Sequence, residues 1–229
     1  MARVLRILQR LMMLDKDYWD AIPSRMVSTA RRLYNTVIDY LYIGESLVEI
    51  VYSEELMVTG AYQTQSTEYL ALFHAFGKIK ITESDVIVDV GCGKGRAILW
   101  LLKNRKVDKI FGIELNDEVA AQTSKRFEKY DNVKIIKGDA IENVPLEASI
   151  FYLYNPFVGT IVKRYKDRLE ELFYARKPIT IVYHNPIYLE VFLNDPKWTV
   201  EFFRYEPAFI RKLLRFRQQD TAIIKLNQP

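Results

Sequence analysis

The chain has 229 residues, of which 49% are hydrophobic and 27% charged, and a net charge of +4. That is enough apolar material for one large domain with a small appendage and too much for a disordered chain, while the mild positive charge permits an anionic partner without requiring one. No apolar run is long enough to span a bilayer, charges interrupt any secretory signal at the N-terminus, and one cysteine with two distant histidines excludes a disulfide framework and argues against a structural zinc site, so a cytoplasmic location without a metal is expected.

Residues 1–58 read as a helical extension ahead of the core. Val4, Leu5, Ile7, Leu8, Leu11 and Met12 recur at helical spacing, with Arg3, Arg6 and Arg10 on the other side. A break over Asp15–Pro23 leads into a second helix from about Ser24 to Tyr42, and Leu47–Val51 follows Gly44 as a short apolar segment. This extension fits a cap packed on the core, a homodimer contact, a substrate lid, or a basic amphipathic surface for a membrane. Residues 60–67, GAYQTQST, come next, and Ser66 is placed to cap a helix running through Glu68, Leu72 and Phe76 to Gly77.

From residue 59 onward the chain reads as a single α/β domain. The stretch Asp85–Trp100, DVIVDVGCGKGRAILW, is an apolar strand with one acid, Asp89, running through Gly91, Gly93 and Gly95 into a helix. Strand, glycine turn and helix N-terminus form a grip for a nucleotide-like ligand. A dinucleotide fingerprint needs its third glycine at position 96, which is Arg96, and no phosphate-binding G-x-x-x-x-G-K-[ST] pattern is present. Further strands are predicted at 109–114, 133–137, 149–154 and 179–184, with helices at 95–104, 116–129, 160–175 and 187–193. Pro145 leaves little room for a helix between the third and fourth strands. Such alternation implies a parallel sheet with right-handed crossovers. Trp198–Tyr205 and Ala222–Leu226 are strand-like without a core helix between them, which suggests a closing antiparallel pair.

The pattern D-x-G-x-G-x-G over Asp89–Gly95 resembles motif I of the class I S-adenosylmethionine-dependent methyltransferases. Glu114 ends the second strand about twenty residues on, Gly138-Asp139-Ala140 follows the third, and Asn155-Pro156-Phe157 follows the fourth, resembling motif IV. The resemblance covers residues 60–229 and implies a Rossmann-like, mostly parallel seven-stranded sheet with a C-terminal antiparallel strand. It also implies S-adenosyl-L-methionine as cofactor and S-adenosyl-L-homocysteine as product. By the same resemblance Gly91, Gly93 and Gly95 shape the cofactor loop and Asp89 organises the methionine ammonium. Glu114 takes the ribose hydroxyls, Asp139 and Ala140 meet the adenine, and Tyr62, Thr64 and Ser66 reach the methionine end.

Asn155 is read two ways: it contacts a planar amine acceptor as motif IV does in amino-methylating relatives, or it only lines the cofactor pocket. One proline where that motif has two makes the match partial, so a nitrogen acceptor on a small molecule or protein side chain is favoured over a nucleic-acid base. His184, at the end of the fifth strand, stands where a general base is expected, with a purely structural role as the alternative. Cys92 sits in the glycine loop without a basic partner, and His74 reads as structural. Arg204, Arg211, Lys212, Arg215 and Arg217 form either a solvated face or a dock for an anionic acceptor. A non-catalytic cofactor-binding module and a nicotinamide-dependent oxidoreductase remain the competing readings.

Overall fold

The computed structural model describes residues 24–51, 65–204 and 220–229. Seven strands form one sheet in the order β3-β2-β1-β4-β5-β7-β6. They are β1 (Val86–Val90), β2 (Lys109–Glu114), β3 (Val133–Lys137), β4 (Ile150–Tyr154), β5 (Thr180–His184), β6 (Trp198–Phe203) and β7 (Thr221–Leu226). The first five pair in parallel, and β7 inserts antiparallel between β5 and β6. This is the expected sheet, antiparallel strand included. The stretch between β3 and β4 carries no helix, as Pro145 implied.

Alternation along the strands builds two cores. Val86, Val88 and Val90 of β1 join Phe111, Phe151, Leu153, Ile181 and Ile224 on one face. That face is covered by α5 (Gly159–Phe173) and the short α6 (Glu190–Leu193), which supply Val162, Leu169, Phe173 and Phe192. Ile87, Ile110, Ile150, Tyr152, Val182 and Ile223 point the other way. There they meet α2 (Tyr69–Phe76), α3 (Arg96–Asn104) and, from α4 (Asp117–Phe127), the ring of Phe127. Phe76 links the helices to the sheet, stacking on Trp100 and lying 4.9 Å from the Tyr152 ring.

The second predicted helix is α1 (Ser24–Ile43). Its inner side buries Asn35, Ile38 and Asp39, whereas Leu33, Val37, Tyr40 and Leu41 are exposed at helical spacing. That outer stripe is the described part of the region to which the homodimer expectation attaches. The helix expected over Val4–Met12 falls on residues outside the described ones, as do Arg211, Lys212, Arg215 and Arg217.

One local expectation is corrected. Ser66 does not cap α2: the helix begins at Tyr69 with Glu68 at its N-cap position and no capping side chain from that residue. Instead Asn35 of α1 accepts the Tyr69 N–H at 3.1 Å, a cap supplied across the interface, and the Ser66 hydroxyl donates to the Leu47 carbonyl at 2.7 Å. Among the described residues no helix is long and apolar enough to cross a membrane.

Candidate active site

The carboxyl ends of β1, β2 and β4 open into a cavity of about 350 Å³. Ligands of open α/β sheets sit at such strand ends. Asp89, Gly91, Gly93, Glu114, Asp139, Ala140 and Asn155, drawn from four separate segments of the sequence, all line it. Gly95 lies just behind the wall. Tyr62 and Thr64 fall outside the described residues.

The glycine loop is folded back on β2, with the N–H groups of Gly91 and Cys92 both donating to the Ile113 carbonyl at 2.9 Å. Gly91 and Gly95 have φ of 73° and 81°, a region other residues enter at a cost. A Cβ on Gly95 would also stand 2.4 Å from the Phe127 ring, and one on Gly91 3.0 Å from Pro156. These glycines let α4 and the post-β4 loop close on the glycine loop. From α4, Thr123 donates its hydroxyl to the Gly93 carbonyl at 2.8 Å, and Arg126 donates to the Lys94 carbonyl at 3.1 Å.

Two acids face each other here. Glu114 accepts the Gly93 N–H on one oxygen and the Asn116 N–H on the other, each at 2.8 Å. Each oxygen keeps a lone pair for a further donor. Burial raises the Glu114 pKa, and those backbone N–H groups pull it partly back. Asp89 is more perturbed: burial pushes its carboxyl up to about 8, and the charge of Glu114 adds to the rise. A cationic ligand beside it would favour the ionised form that burial and Glu114 disfavour. At the far end, Asp139 accepts the Ile141 N–H on Oδ1 at 2.7 Å, beside the buried Ala140. Burial drives the Cys92 thiol well up, which opposes a thiolate nucleophile.

Asn155 has φ of 43°, and its amide oxygen is buried without a hydrogen-bond partner among the described residues. An unsatisfied buried acceptor in a cavity wall marks a place where a donor is expected to arrive. His184 is not brought to the cavity. It is fully buried, its Nδ1 lies 3.2 Å from the Thr221 hydroxyl, and its ring packs 5.1 Å from Tyr154, which does line the cavity.

Ser66, which the resemblance placed at the methionine end, also lines the cavity, and residues not anticipated complete the wall: Gln65, Thr67, Arg96, Tyr152 and Tyr154. The Tyr152 hydroxyl donates to Thr67 Oγ1 at 3.3 Å. Arg96, in the first turn of α3, is buried and forks onto Asp39 of α1, with Nε–Oδ1 at 3.0 Å and Nη2–Oδ2 at 2.6 Å. A signal for this pair exists in the sequence: an acid inside the apolar run Val37–Leu41, and an arginine where a glycine loop meets a helix. What it lacks is any local hint that residues 57 apart are partners.

A family model described as "Methyltransferase domain" matches residues 87–173. A protein-lysine N-methyltransferase of Saccharolobus islandicus is 30% identical over 95 residues, 40% of this chain and 58% of that protein. The chain thus spans little more than half the length of that curated relative. A methyltransferase structure from Pyrococcus furiosus superposes with a TM-score of 0.60 at 14% identity, covering 88% of this chain and 98% of that one. An RNA methyltransferase from Salinibacter ruber, in complex with S-adenosyl-L-homocysteine, gives 0.52 at 16% identity over 72% and 95%. These two are likenesses of fold.

Proposed function

Since this chain carries a class I S-adenosylmethionine-dependent methyltransferase domain, we propose that it methylates nitrogen, the side-chain amine of a protein lysine. The orphaned amide oxygen of Asn155 carries the reading: it calls for a donor, which an amine or a hydroxyl brings, and the partial motif IV around it favours the amine. The name of the Saccharolobus relative supports the choice of lysine.

The residues fit the cofactor. When bound, S-adenosylmethionine supplies an electrophilic methyl carbon whose bond to sulfur breaks as the acceptor's bond forms, so the protein supplies no nucleophile. Asp89 offers the ammonium a carboxylate, and Glu114 offers the ribose hydroxyls the lone pairs its backbone donors leave free. Asp139 and Ala140 stand at the adenine end. Asn155 orients the incoming amine, and the wall of Thr67, Tyr152 and Tyr154 keeps water from the reacting atoms.

The test is transfer from methyl-labelled S-adenosylmethionine into a protein extract, followed by hydrolysis and amino-acid analysis. Label in methyl-lysine that is lost with Asp89→Ala is expected. Label confined to nucleic acid, lipid or small molecules overturns lysine as acceptor, and no label above a boiled control, with cofactor bound, leaves a non-catalytic binding module.

The raised Asp89 pKa sets a pH dependence. In the free protein this carboxyl is largely protonated below about pH 8, yet a ligand ammonium needs it ionised. Affinity for S-adenosylhomocysteine therefore rises as pH climbs from about 6 to 8, by up to roughly tenfold per unit, and levels off above. For stability of the free protein the sign is opposite. The unfolded chain has already lost this proton above about pH 4, so the group's contribution to stability falls between about pH 4 and 8. Calorimetric titrations at pH 6 and 8 check this: Asp89→Asn should bind weakly and with a flatter pH profile, and equal slopes for the two proteins sink it.

A further inference from the structure

Arg96 is a cation in an awkward place. It occupies the first turn of α3, where the helix dipole already presents positive charge, and it lines the cavity proposed to receive a sulfonium. Its charge is met by Asp39, which is fully buried and comes from α1, outside the segment matched by the family model. The Asp39 carboxylate is saturated: besides the two Arg96 bonds, it accepts the Tyr69 hydroxyl at 2.7 Å and the Leu47 N–H at 2.8 Å. The remaining guanidinium nitrogen of Arg96 lies 3.4 Å from the carbonyls of both Ser66 and Thr67, two residues of the cavity wall. Around this core, Glu45 pairs with Arg126 at 2.6 Å and Glu49 with Lys94 at 3.4 Å, which ties the segment after α1 to the glycine loop and α4.

We propose that Asp39 is a positioning residue of the cofactor site: by holding and neutralising Arg96 it lets the cavity accept a cationic ligand and fixes the wall at Ser66 and Thr67. The inference rests on the reading that this cavity binds S-adenosylmethionine. It assigns the N-terminal extension a direct share in cofactor selection. Removing the Asp39 charge leaves Arg96 uncompensated beside the cavity in a low-dielectric setting, where repulsion of a like charge is strong.

The ligand pair provides its own control. S-adenosylmethionine has one more positive charge than S-adenosylhomocysteine and otherwise differs by a methyl group. A purely structural loss weakens both alike, whereas an uncompensated Arg96 weakens the sulfonium ligand more. Titration of wild type and Asp39→Asn with each ligand, at a temperature where both are folded by circular dichroism, is the experiment. The expected result is a loss of at least about tenfold for S-adenosylmethionine and about threefold or less for S-adenosylhomocysteine. In the double variant with Arg96→Gln the ratio of the two affinities returns toward that of wild type. Equal losses, or none, overturn the inference while leaving the cofactor reading intact. A wild type that binds neither ligand overturns both.

If Asp39→Asn does not fold, the wild type carries the test. Coupling between sites is reciprocal, so a ligand helped by the Asp39 contact must strengthen that contact in return. Exchange of the Leu47 amide, which donates to Asp39, should then slow more with S-adenosylmethionine than with S-adenosylhomocysteine at saturation. Equal protection by the two ligands overturns the proposal.

Discussion

Asp39→Ala will lower the unfolding free energy by about 3–5 kcal/mol, the loss expected when one partner of a buried ion pair is removed. For a chain of this size that corresponds to a fall in melting temperature of roughly 6–20 °C. The size of the effect follows from what is left behind. Arg96, only 3% exposed at its side chain, keeps two long contacts to carbonyl oxygens and the face of the Tyr69 ring 5.4 Å away, none of which carries a negative charge. The Tyr69 hydroxyl and the Leu47 N–H lose their acceptor. Burial, the largest cause of the raised Tyr69 pKa, persists in the variant, so its hydroxyl remains a neutral donor and does not supply the missing charge. Thermal unfolding followed by circular dichroism measures the loss. A drop of only a degree or two would mean that water reaches Arg96 and that α1 is loosely held. Replacing both partners by apolar residues, Asp39→Leu with Arg96→Met, should recover only the part owed to the stranded charge, because the Tyr69 hydroxyl and the Leu47 N–H still lack their acceptor.

The contrast between what the sequence disclosed and what it hid is one of range. Strands β1 to β5 and β7 were legible to within a residue because two-residue alternation and β-branched runs are local signals. The glycine loop was legible because Gly91, Gly93 and Gly95 stand at positive φ, where other residues are strained. Glu114 and Asn155 stand at strand ends, and their roles are legible only through the resemblance to the methyltransferase motifs. Nothing local pairs Asp39 with Arg96, since 57 residues separate them and only the fold brings α1 to the start of α3. Ser66 shows the same limit: a hydroxyl just ahead of a helix suggests a local cap, whereas the cap comes from Asn35, 34 residues from the Tyr69 N–H that it accepts. His184 illustrates a different limit. Its place at a strand end was right, but a residue there points to one of two faces, and Thr221 of the neighbouring β7 stands 3.2 Å from its Nδ1.

Asn155 allows the sharpest functional prediction, provided the substitution respects its backbone. At φ of 43° an alanine would be strained, and its effect would mix conformational cost with loss of the amide. Glycine adopts that conformation freely, so Asn155→Gly removes the side chain alone. If the amide oxygen holds the acceptor nitrogen in line, turnover should fall about a hundredfold, the scale on which small misplacements of reacting atoms are felt. Affinity for S-adenosylhomocysteine should change by no more than about threefold, since cofactor contacts are assigned to Asp89, Glu114 and Asp139, and one lost neutral hydrogen bond is worth little net. Asn155→Asp tolerates the same backbone and keeps an oxygen acceptor, but adds a negative charge beside Asp89 and Glu114; it should retain more activity than glycine at high pH, where the amine to be methylated is neutral. Single-turnover rates at saturating cofactor separate the chemical step from binding. Should Asn155→Gly instead lose cofactor affinity and keep its rate, the orphaned oxygen belongs to the cofactor and the case for nitrogen as acceptor falls with it.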